Sequence, residues 1–273
     1  AARWLVAAFF DEFRADQLGL AAITALMWGL FCARLGKLRD RPLFRGVMYT
    51  VAFFLGMASV IPTLGLIVLE ENFLHVKEGG GLARDAVYYI GGVGFREEAC
   101  KLFAFSLLLP ILRKWGTRLD VLACGAMVGL GFAAEENLGY FERGSEAVAL
   151  GRFLTANFMH ISMTAICADA LDEWIRAPGE HSFEFSRAFL TVIALHGAYD
   201  FFASYVPYLS IVIFVLLTRQ FLHAVSTARG RPDPEDKFLR RFVQAVIVVL
   251  AASFVYACAR AGPSAAAAVL AIG

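Results

Sequence analysis

Apolar runs of about 20 residues recur along the chain, and short segments rich in basic and polar residues separate them. A helix needs a run of about this length to cross the hydrocarbon core of a bilayer. The pattern predicts an all-α, polytopic bundle of about eight membrane-spanning helices, at residues 18–35, 46–69, 85–112, 121–141, 151–171, 187–206, 208–226 and 242–260. These spans form a single transmembrane domain (18–260), preceded by an interfacial lead-in (1–17) and followed by a C-terminal tail (261–273).

The composition is typical of a chain that lies in a membrane. Of the 273 residues, 59% are hydrophobic and 18% are charged, and the mean hydropathy is +0.63. Soluble domains average about 45–50% apolar and about 25% charged residues. The lipid bilayer is therefore the expected surrounding. A formal net charge of +1 provides no strongly basic surface, so no nucleic-acid partner is expected.

The basic residues are divided unevenly between the two sides of the predicted bundle. Sixteen of the 25 lie in the first, third, fifth and seventh loops, and seven lie on the side that also holds both termini. Because Lys and Arg accumulate in cytoplasmic loops, both termini are expected outside the cytoplasm. The loop at 70–84 is then extracytoplasmic. Its three glycines leave two interpretations open, a mobile gate and a flexible connector.

The third predicted span carries charged residues at its centre, namely Arg96, Glu97, Glu98 and Lys101. A single charge at the bilayer centre costs about 2.5–3.5 kcal/mol on insertion scales. The helical period points Glu97, Glu98 and Lys101 to one side, and Glu97 and Lys101 form an i,i+4 pair in the favourable order. Such a group needs polar partners or a water-filled cavity, so it is a candidate functional site.

The next three spans also carry polar residues at positions where apolar ones are expected. They are Glu135, Glu136 and Asn137 on the fourth span, Asn157, His160 and Thr164 on the fifth, and His196 and Asp200 on the sixth. Any one of them could be structural, because a buried carboxyl group can become neutral and a His–Asp pair can brace a helix. Their occurrence on consecutive spans instead predicts one polar cavity formed by spans 3–6, in a catalytic core at 85–206. The cavity is expected to open towards the extracytoplasmic side.

Several familiar catalytic motifs do not occur in the sequence, including H-E-x-x-H, G-x-S-x-G and a G-K-[ST] phosphate loop. Two chemistries remain for the polar residues. Carboxylates and imidazoles can activate a water and protonate a leaving amine without a side-chain nucleophile. Alternatively, two histidines and a carboxylate can hold a metal ion that activates the water. A proton- or ion-coupled transporter is the rival class, because acidic and His residues inside spans also form relays.

The polar residues form an ordered set of motifs on successive spans. The motifs read Glu97-Glu98-Ala99-Cys100-Lys101 (E-E-x-x-K), Phe132-Ala133-Ala134-Glu135-Glu136-Asn137 (F-x-x-x-E-N), a lone His160, and His196-Gly197-Ala198-Tyr199-Asp200 (H-x-x-x-D). In their order and spacing, over residues 91–201, the chain resembles the PrsW family of intramembrane proteases. That family is related to the CAAX prenyl proteases and to the Aph-1 subunit of γ-secretase.

The resemblance implies a peptidase, glutamic-type or metal-dependent, in a bacterial-type inner or plasma membrane. Its expected substrate is a membrane-anchored protein, for example a regulatory protein similar to an anti-sigma factor. The implied site residues are Glu97, Glu98, Lys101, Glu136, Asn137, His160, His196 and Asp200. The relation to Aph-1 adds a second rival function, that of a non-catalytic membrane scaffold.

We expect each residue of this set to have a distinct role. Glu97 or Glu98 is the expected general base for a water, and Lys101 orients the glutamate pair. Glu136 and His160 complete the water site.

The residues of the sixth span are expected to act on the scissile bond. His196, oriented by Asp200 one turn later, donates a proton to the leaving amine or polarises the carbonyl group. Asn137 helps to hold the oxyanion. No cofactor is required by the sequence, but if a metal ion such as zinc is bound, its expected ligands are Glu136, His160 and His196.

Overall fold

The computed structural model describes residues 15–37, 40–143 and 152–230, together with single positions between 241 and 263. These three ranges are helical apart from short connections and contain no strand. In chain order the helices are α1 (Ala15–Leu35), α2 (Pro42–Ala58), α3 (Val60–Leu69), α4 (Leu82–Val87), α5 (Phe95–Ser106), α6 (Leu109–Trp115), α7 (Arg118–Arg143), α8 (Asn157–Arg176), α9 (Pro178–Tyr205) and α10 (Pro207–Arg229). The all-α prediction is confirmed for this part of the chain.

The predictions for the two ends of the chain fall mostly on residues that the structure does not describe. Most of the lead-in (1–17), most of the eighth span (242–260) and most of the tail (261–273) lie outside the described residues. The positions of the eighth span that are described are helical.

Among the described residues, two helical stretches are long and apolar enough to cross a bilayer by their length and composition. They are Pro42–Leu74, with 33 residues, and Leu209–Arg229, with 21 residues; a shorter apolar helix covers Ala21–Leu35. The helices between them contain the charged site residues, which lower their hydropathy. The number of about eight spans therefore stays a prediction.

The outer surface of the bundle carries large apolar side chains. Phe54, Leu64 and Phe103 are each more than half exposed, although a soluble protein exposes few contiguous apolar surfaces of this kind. Because Phe103 lies on the same helix as the buried Lys101, one face of α5 is apolar and outward while the other is polar and inward. This arrangement is expected of a helix packed between lipid and a polar interior.

The predicted third span is not one regular helix. It consists of α4, a π-helical turn (Tyr88–Gly94) and α5, and it breaks at residues 107–108 before α6 begins. Pro110 lies in the first turn of α6, and a proline cannot donate the backbone hydrogen bond that would continue the preceding helix. Further π-helical turns occur at Glu70–Leu74 and Arg152–Ala156. Such turns often accompany functional sites.

Helix α7 occupies the middle of the bundle and packs against α2 and α8. Its contact with α8 depends on Gly129, because a Cβ atom on this residue would lie 2.2 Å from the backbone oxygen of His160. Glycine lets the two backbones approach closely. This contact places the motif residues of α7 beside His160.

Helix α9 crosses the π-helical turn before α5 at a second close contact. A Cβ atom on Gly197 would lie 2.3 Å from the backbone oxygen of Tyr89, and one on Gly94 would lie 2.4 Å from the oxygen of Ile193. Since His196 precedes Gly197, this crossing places its imidazole ring beside the charged face of α5.

An ion pair joins α2 to the first turn of α7. Arg45 and Asp120 are both buried, and the Arg45 Nε atom lies 2.6 Å from Asp120 Oδ1. Arg45 also donates to the Lys37 backbone oxygen (2.7 Å), and Thr117 donates to Asp120 through its backbone nitrogen and its hydroxyl group (both 2.8 Å). All of these polar groups therefore have partners.

Candidate active site

A cavity of about 660 Å³ lies among α5, α7, α8 and α9. Five of the residues predicted for the site line it, namely Glu97, Glu136, His160, His196 and Asp200. The other three, Glu98, Lys101 and Asn137, are buried but do not belong to the lining. The structure thus places the predicted residues together and divides them into a group at the cavity and a group behind it.

Lys101 is the centre of the buried group. Its side chain is 0% exposed, and its Nζ atom lies 2.7 Å from Glu98 Oε1 and 2.8 Å from His160 Nδ1. The ammonium group also lies over the ring of Phe132, 4.1 Å from its centroid. An ammonium group has only donors, so Nδ1 of His160 accepts the hydrogen bond. The ring proton of His160 is then on Nε2.

The other nitrogen of His160 contacts Glu136. The distance from His160 Nε2 to Glu136 Oε2 is 3.0 Å, so the imidazole donates to this carboxylate. Lys101, His160 and Glu136 therefore form a chain of hydrogen bonds from the interior to the cavity.

Glu98 is held tightly behind the cavity. Its Oε1 atom accepts from Lys101 and lies 2.8 Å from His196 Nδ1. Its Oε2 atom has no hydrogen-bond partner in the described part of the chain, and the residue is 1% exposed. Glu98 therefore orients His196, whereas the sequence pattern assigned this role to Asp200. The Asp200 carboxylate lies farther from the ring, 3.4 Å from Nε2.

Glu97 makes longer contacts than Glu98. Its Oε2 atom lies 3.4 Å from Lys101 Nζ and 3.5 Å from His196 Nε2. Because Glu97 lines the cavity, its carboxylate is the one of the pair that a water or a substrate in the cavity can reach.

Arg152 is a site residue that the sequence pattern did not identify. It lies in the π-helical turn before α8 and is buried. Its guanidinium group donates to Glu136 Oε2 (3.0 Å) and to Asn137 Oδ1 (2.6 Å), and it lies 3.8 Å from the centroid of the Tyr140 ring. A lone basic residue at the start of an apolar span was the only signal in the sequence.

Asn137 belongs to this second group of contacts. In addition to the bond from Arg152, its Nδ2 atom donates to Asn157 Oδ1 over 3.1 Å. Its position behind the cavity wall does not support the expected oxyanion role. The contacts instead indicate that Asn137 helps to fix Arg152.

The donors at the cavity fit a metal ion. Glu97, His160 and His196 each offer one ligand atom, and these atoms all lie within 4.8 Å of one another. Two imidazoles and a carboxylate form a donor set that occurs in catalytic zinc sites. The predicted set contained Glu136 instead of Glu97; Glu136 contacts His160 Nε2 and Arg152.

The charges around the cavity also fit a divalent cation. The carboxylates of Glu97, Glu98 and Glu136 are in contact with the cations Lys101 and Arg152, and the carboxylate of Asp200 lies at the same cavity. The two cations leave an excess of two negative charges when both histidines are neutral. Buried charge without a counter-charge is costly, and a divalent cation would balance it.

Comparison with known proteins identifies the family. The family model for the PrsW family intramembrane metalloproteases matches residues 46–225, more than half of the 273-residue chain. No curated protein and no solved structure matches the chain. The predicted relationships to the CAAX proteases and to Aph-1 therefore stay predictions. The matched range includes every predicted site residue, and the chain belongs to the PrsW family of intramembrane metalloproteases, as a peptidase integral to the membrane.

Proposed function

We propose that the chain hydrolyses a peptide bond of a membrane-anchored protein, with Glu97 as the general base for the attacking water. The observation that carries this proposal is the division of the glutamate pair. Glu97 lines the cavity and makes long contacts, whereas Glu98 lies behind the wall and makes short ones. A general base must reach the water whose proton it takes.

The buried residues support Glu97 rather than touch the substrate. On the side away from the cavity, Lys101 holds Glu98 through its Nζ atom. Glu98 in turn fixes the ring of His196 through Nδ1. The Nε2 atom of His196 then faces Glu97 and Asp200. This geometry orients one imidazole nitrogen towards the reacting groups.

The proposed reaction moves one proton across this geometry. Glu97 takes a proton from the water as the water oxygen attacks the carbonyl carbon of the scissile bond. The proton passes to the amine nitrogen as the C–N bond breaks, with His196 Nε2 as the group placed to carry it. The products are a new carboxyl end and a new amine end.

The same residues would hold a metal ion. Glu97, His160 and His196 would be its ligands, with zinc favoured by the donor set, and it would supply Lewis-acid activation of the water. Without an ion, Glu136 is fixed between Arg152 and His160, and Lys101 holds Nδ1 of His160 as an acceptor. An ion bound at Nε2 of His160 would replace the proton that this nitrogen donates to Glu136.

The family assignment and the geometry favour proteolysis over the two rival functions. A transporter or a scaffold does not require a carboxylate and two imidazoles to meet at a cavity, as Glu97, His160 and His196 do. A regulatory, membrane-anchored protein similar to an anti-sigma factor is the proposed substrate class.

We also propose about eight spans, with both termini and the mouth of the cavity on the extracytoplasmic side. The distribution of basic residues supports this orientation. The proposal is tested by the labelling of cysteines introduced at Glu78 and Lys114 in a cysteine-free variant. A membrane-impermeant maleimide added from outside should label the first position and not the second, and the reverse pattern would contradict the orientation.

The loop at 70–84 is proposed to cover the mouth of the cavity. Glu78 reaches the cavity lining, and its carboxylate accepts a hydrogen bond from Tyr89 over 2.5 Å. The two residues after Glu78 are also fixed, because the backbone nitrogens of Gly79 and Gly80 donate to Asp85 Oδ1 over 2.9 and 3.0 Å. These contacts favour the gate over the flexible connector.

The reaction is tested with purified protein in detergent and a panel of single-span substrates. We expect cleavage at one bond, identified by mass spectrometry, and a rate about 10²- to 10⁴-fold lower for Glu97→Gln. Cleavage that survives chelation would assign the activation of water to Glu97 alone. Loss on chelation, with recovery on adding zinc, would assign Glu97, His160 and His196 as ligands. Undiminished cleavage by a folded Glu97→Gln variant would refute the proposal.

A further inference from the structure

Arg96 directly precedes Glu97 and also lines the cavity. It is 4% exposed, and its Nη1 atom donates to Glu70 Oε2 over 2.7 Å. Its guanidinium carbon lies 5.4 Å from the centroid of the Tyr88 ring. The guanidinium group is therefore held in place from two sides, by the end of the helix that contains Glu70 and by the π-helical turn before α5.

One donor of this guanidinium group has no partner among the described residues. The Nε atom of Arg96 is buried and makes no hydrogen bond to the described residues. A buried N–H group without an acceptor is unfavourable, and nearly all such groups in folded proteins are paired. An unpaired donor on a fixed side chain at the wall of a cavity indicates that its acceptor comes with a ligand.

The charges next to Arg96 decide which acceptor fits. Glu70 already neutralises the guanidinium group, and Glu97 is the next residue in the chain. An acidic side chain of a substrate would bring another negative charge close to these two carboxylates. A neutral oxygen would not, so the backbone carbonyl group of a peptide is the acceptor that suits Nε.

The space beside the ion pair is also limited. A Cβ atom on Gly92 would lie 3.2 Å from Glu70 Oε2 and 3.4 Å from Arg96 Nη1. The glycine thus lets the ion pair lie close against the π-helical turn.

We infer that Arg96 binds the substrate, by donating a hydrogen bond from Nε to a backbone carbonyl oxygen of the peptide segment next to the scissile bond. This inference rests on the proposed function. It assigns to Arg96 the placement of an extended peptide beside Glu97, independent of the substrate's side chains.

The test uses two substitutions that differ at the position of Nε. The amide nitrogen of Gln stands the same number of bonds from the backbone as Arg Nε, whereas Met has a methyl group there. Both lose the ion pair, so both are made in a Glu70→Gln background that removes the carboxylate left without a partner. A further Glu97→Gln substitution prevents turnover, so that binding is measured directly.

The measured quantity is the Kd of a fluorescent single-span peptide in detergent micelles, determined by anisotropy. The peptide is one that the wild-type protein cleaves, with its Asp and Glu residues replaced by Asn and Gln. We expect Arg96→Met to bind about tenfold more weakly than Arg96→Gln, the effect of one hydrogen bond from a fixed donor. Equal Kd values would overturn the inference, as would a difference that appears only with an acidic peptide.

A second variant keeps the inference testable if either of these triple-substituted proteins fails to fold. Arg96→Lys retains a positive charge for Glu70 but has no donor at the Nε position. In the wild-type background we expect its KM to rise about tenfold while kcat stays within about twofold. A lower melting temperature with unchanged KM would assign Arg96 a structural role only.

The test of Arg96 and the test of Glu97 as the general base can fail separately. Undiminished cleavage by Glu97→Gln would refute the proposed function, and the role of Arg96 would then be tested by the KM of Arg96→Lys in the wild-type background. Equal Kd values with an inactive Glu97→Gln variant would refute the role of Arg96 alone.

Discussion

Two groups of buried charges lie at opposite ends of α7, and they differ in how completely their polar atoms are paired. At the start of α7, every side-chain nitrogen of Arg45 and both oxygens of Asp120 have a hydrogen-bond partner. Near the other end, Glu98 Oε2 and Arg96 Nε have no partner among the residues that the structure describes, where Glu97 makes only contacts of 3.4 and 3.5 Å. Asp120 and Glu136 are sixteen residues apart, about 24 Å along a helix.

This difference separates a structural ion pair from a site prepared for a substrate. A structural pair gains most when all its atoms are satisfied, because each unpaired buried group costs about 1–3 kcal/mol. A catalytic site must instead retain donors and acceptors for water and substrate. The second group should therefore respond to substitution in its activity, and the first only in its stability.

The largest combined effect is expected for Lys101→Met. Lys101 is fully buried and forms ion pairs with both Glu97 and Glu98, so its loss leaves two carboxylates without their shared cation. Removal of one partner of a buried ion pair costs about 3–5 kcal/mol. We expect a lower free energy of unfolding in mixed micelles and no detectable cleavage.

The control for this prediction is Lys114→Met. Lys114 is an exposed residue in α6, and its replacement should change neither stability nor cleavage. A folded, active Lys101→Met variant would contradict the role of Lys101 at the centre of the site.

A smaller effect, on activity more than on stability, is expected for Gly197→Ala. The new methyl group would meet the backbone of Tyr89 and Ile90 at 2.3 Å, which forces α9 away from the π-helical turn and moves His196 from Glu97. A displacement of about 1 Å can reduce catalysis about 100-fold. We expect a loss of this size in kcat.

Gly179→Ala provides the matched control for this crossing. Gly179 lies on the same helix, and a Cβ atom there would meet nothing within 4 Å. It should retain full activity. Equal kcat values for the two alanine variants would show that the close crossing does not position His196.

No effect on catalysis is expected for Arg45→Met. The substitution leaves Asp120 without its cation and should lower the free energy of unfolding by about 3–5 kcal/mol. Cleavage per folded molecule should equal that of the wild type. A reduced kcat at unchanged stability would mean that the two ends of α7 are coupled and that the comparison fails.

The sequence predicted which residues meet, but not how they pair. Helical periodicity placed Glu97, Glu98 and Lys101 on one face, and four polar spans in succession indicated a common interior. Spacing alone cannot show which carboxylate faces the cavity, because this depends on rotamers and on the close crossing at Gly197. The assignment of His196 to Asp200 was based on their i,i+4 spacing, whereas the structure gives Glu98 the shorter contact.

Other features depend on contacts between distant parts of the chain. The pairs Arg96–Glu70 and Arg152–Glu136 join residues 26 and 16 positions apart, and Glu70 and Arg152 both lie in π-helical turns. The break before α6 was not predicted, although Pro110 was a visible signal. The apolar runs predicted the helical content well, because a helix that lies in lipid must have apolar side chains along its length.

The central claim is that Glu97 acts on the water and Glu98 acts through His196. The most direct test is the kcat of Glu97→Gln beside that of Glu98→Gln, in preparations of equal melting temperature and with the same single-span substrate. General acid–base groups contribute about 10²- to 10⁴-fold to the rate. We therefore expect the kcat of Glu97→Gln to be lower than that of the wild type by a factor in this range, and at least about tenfold lower than the kcat of Glu98→Gln. Equal losses, or a greater loss in Glu98→Gln, would contradict the assignment.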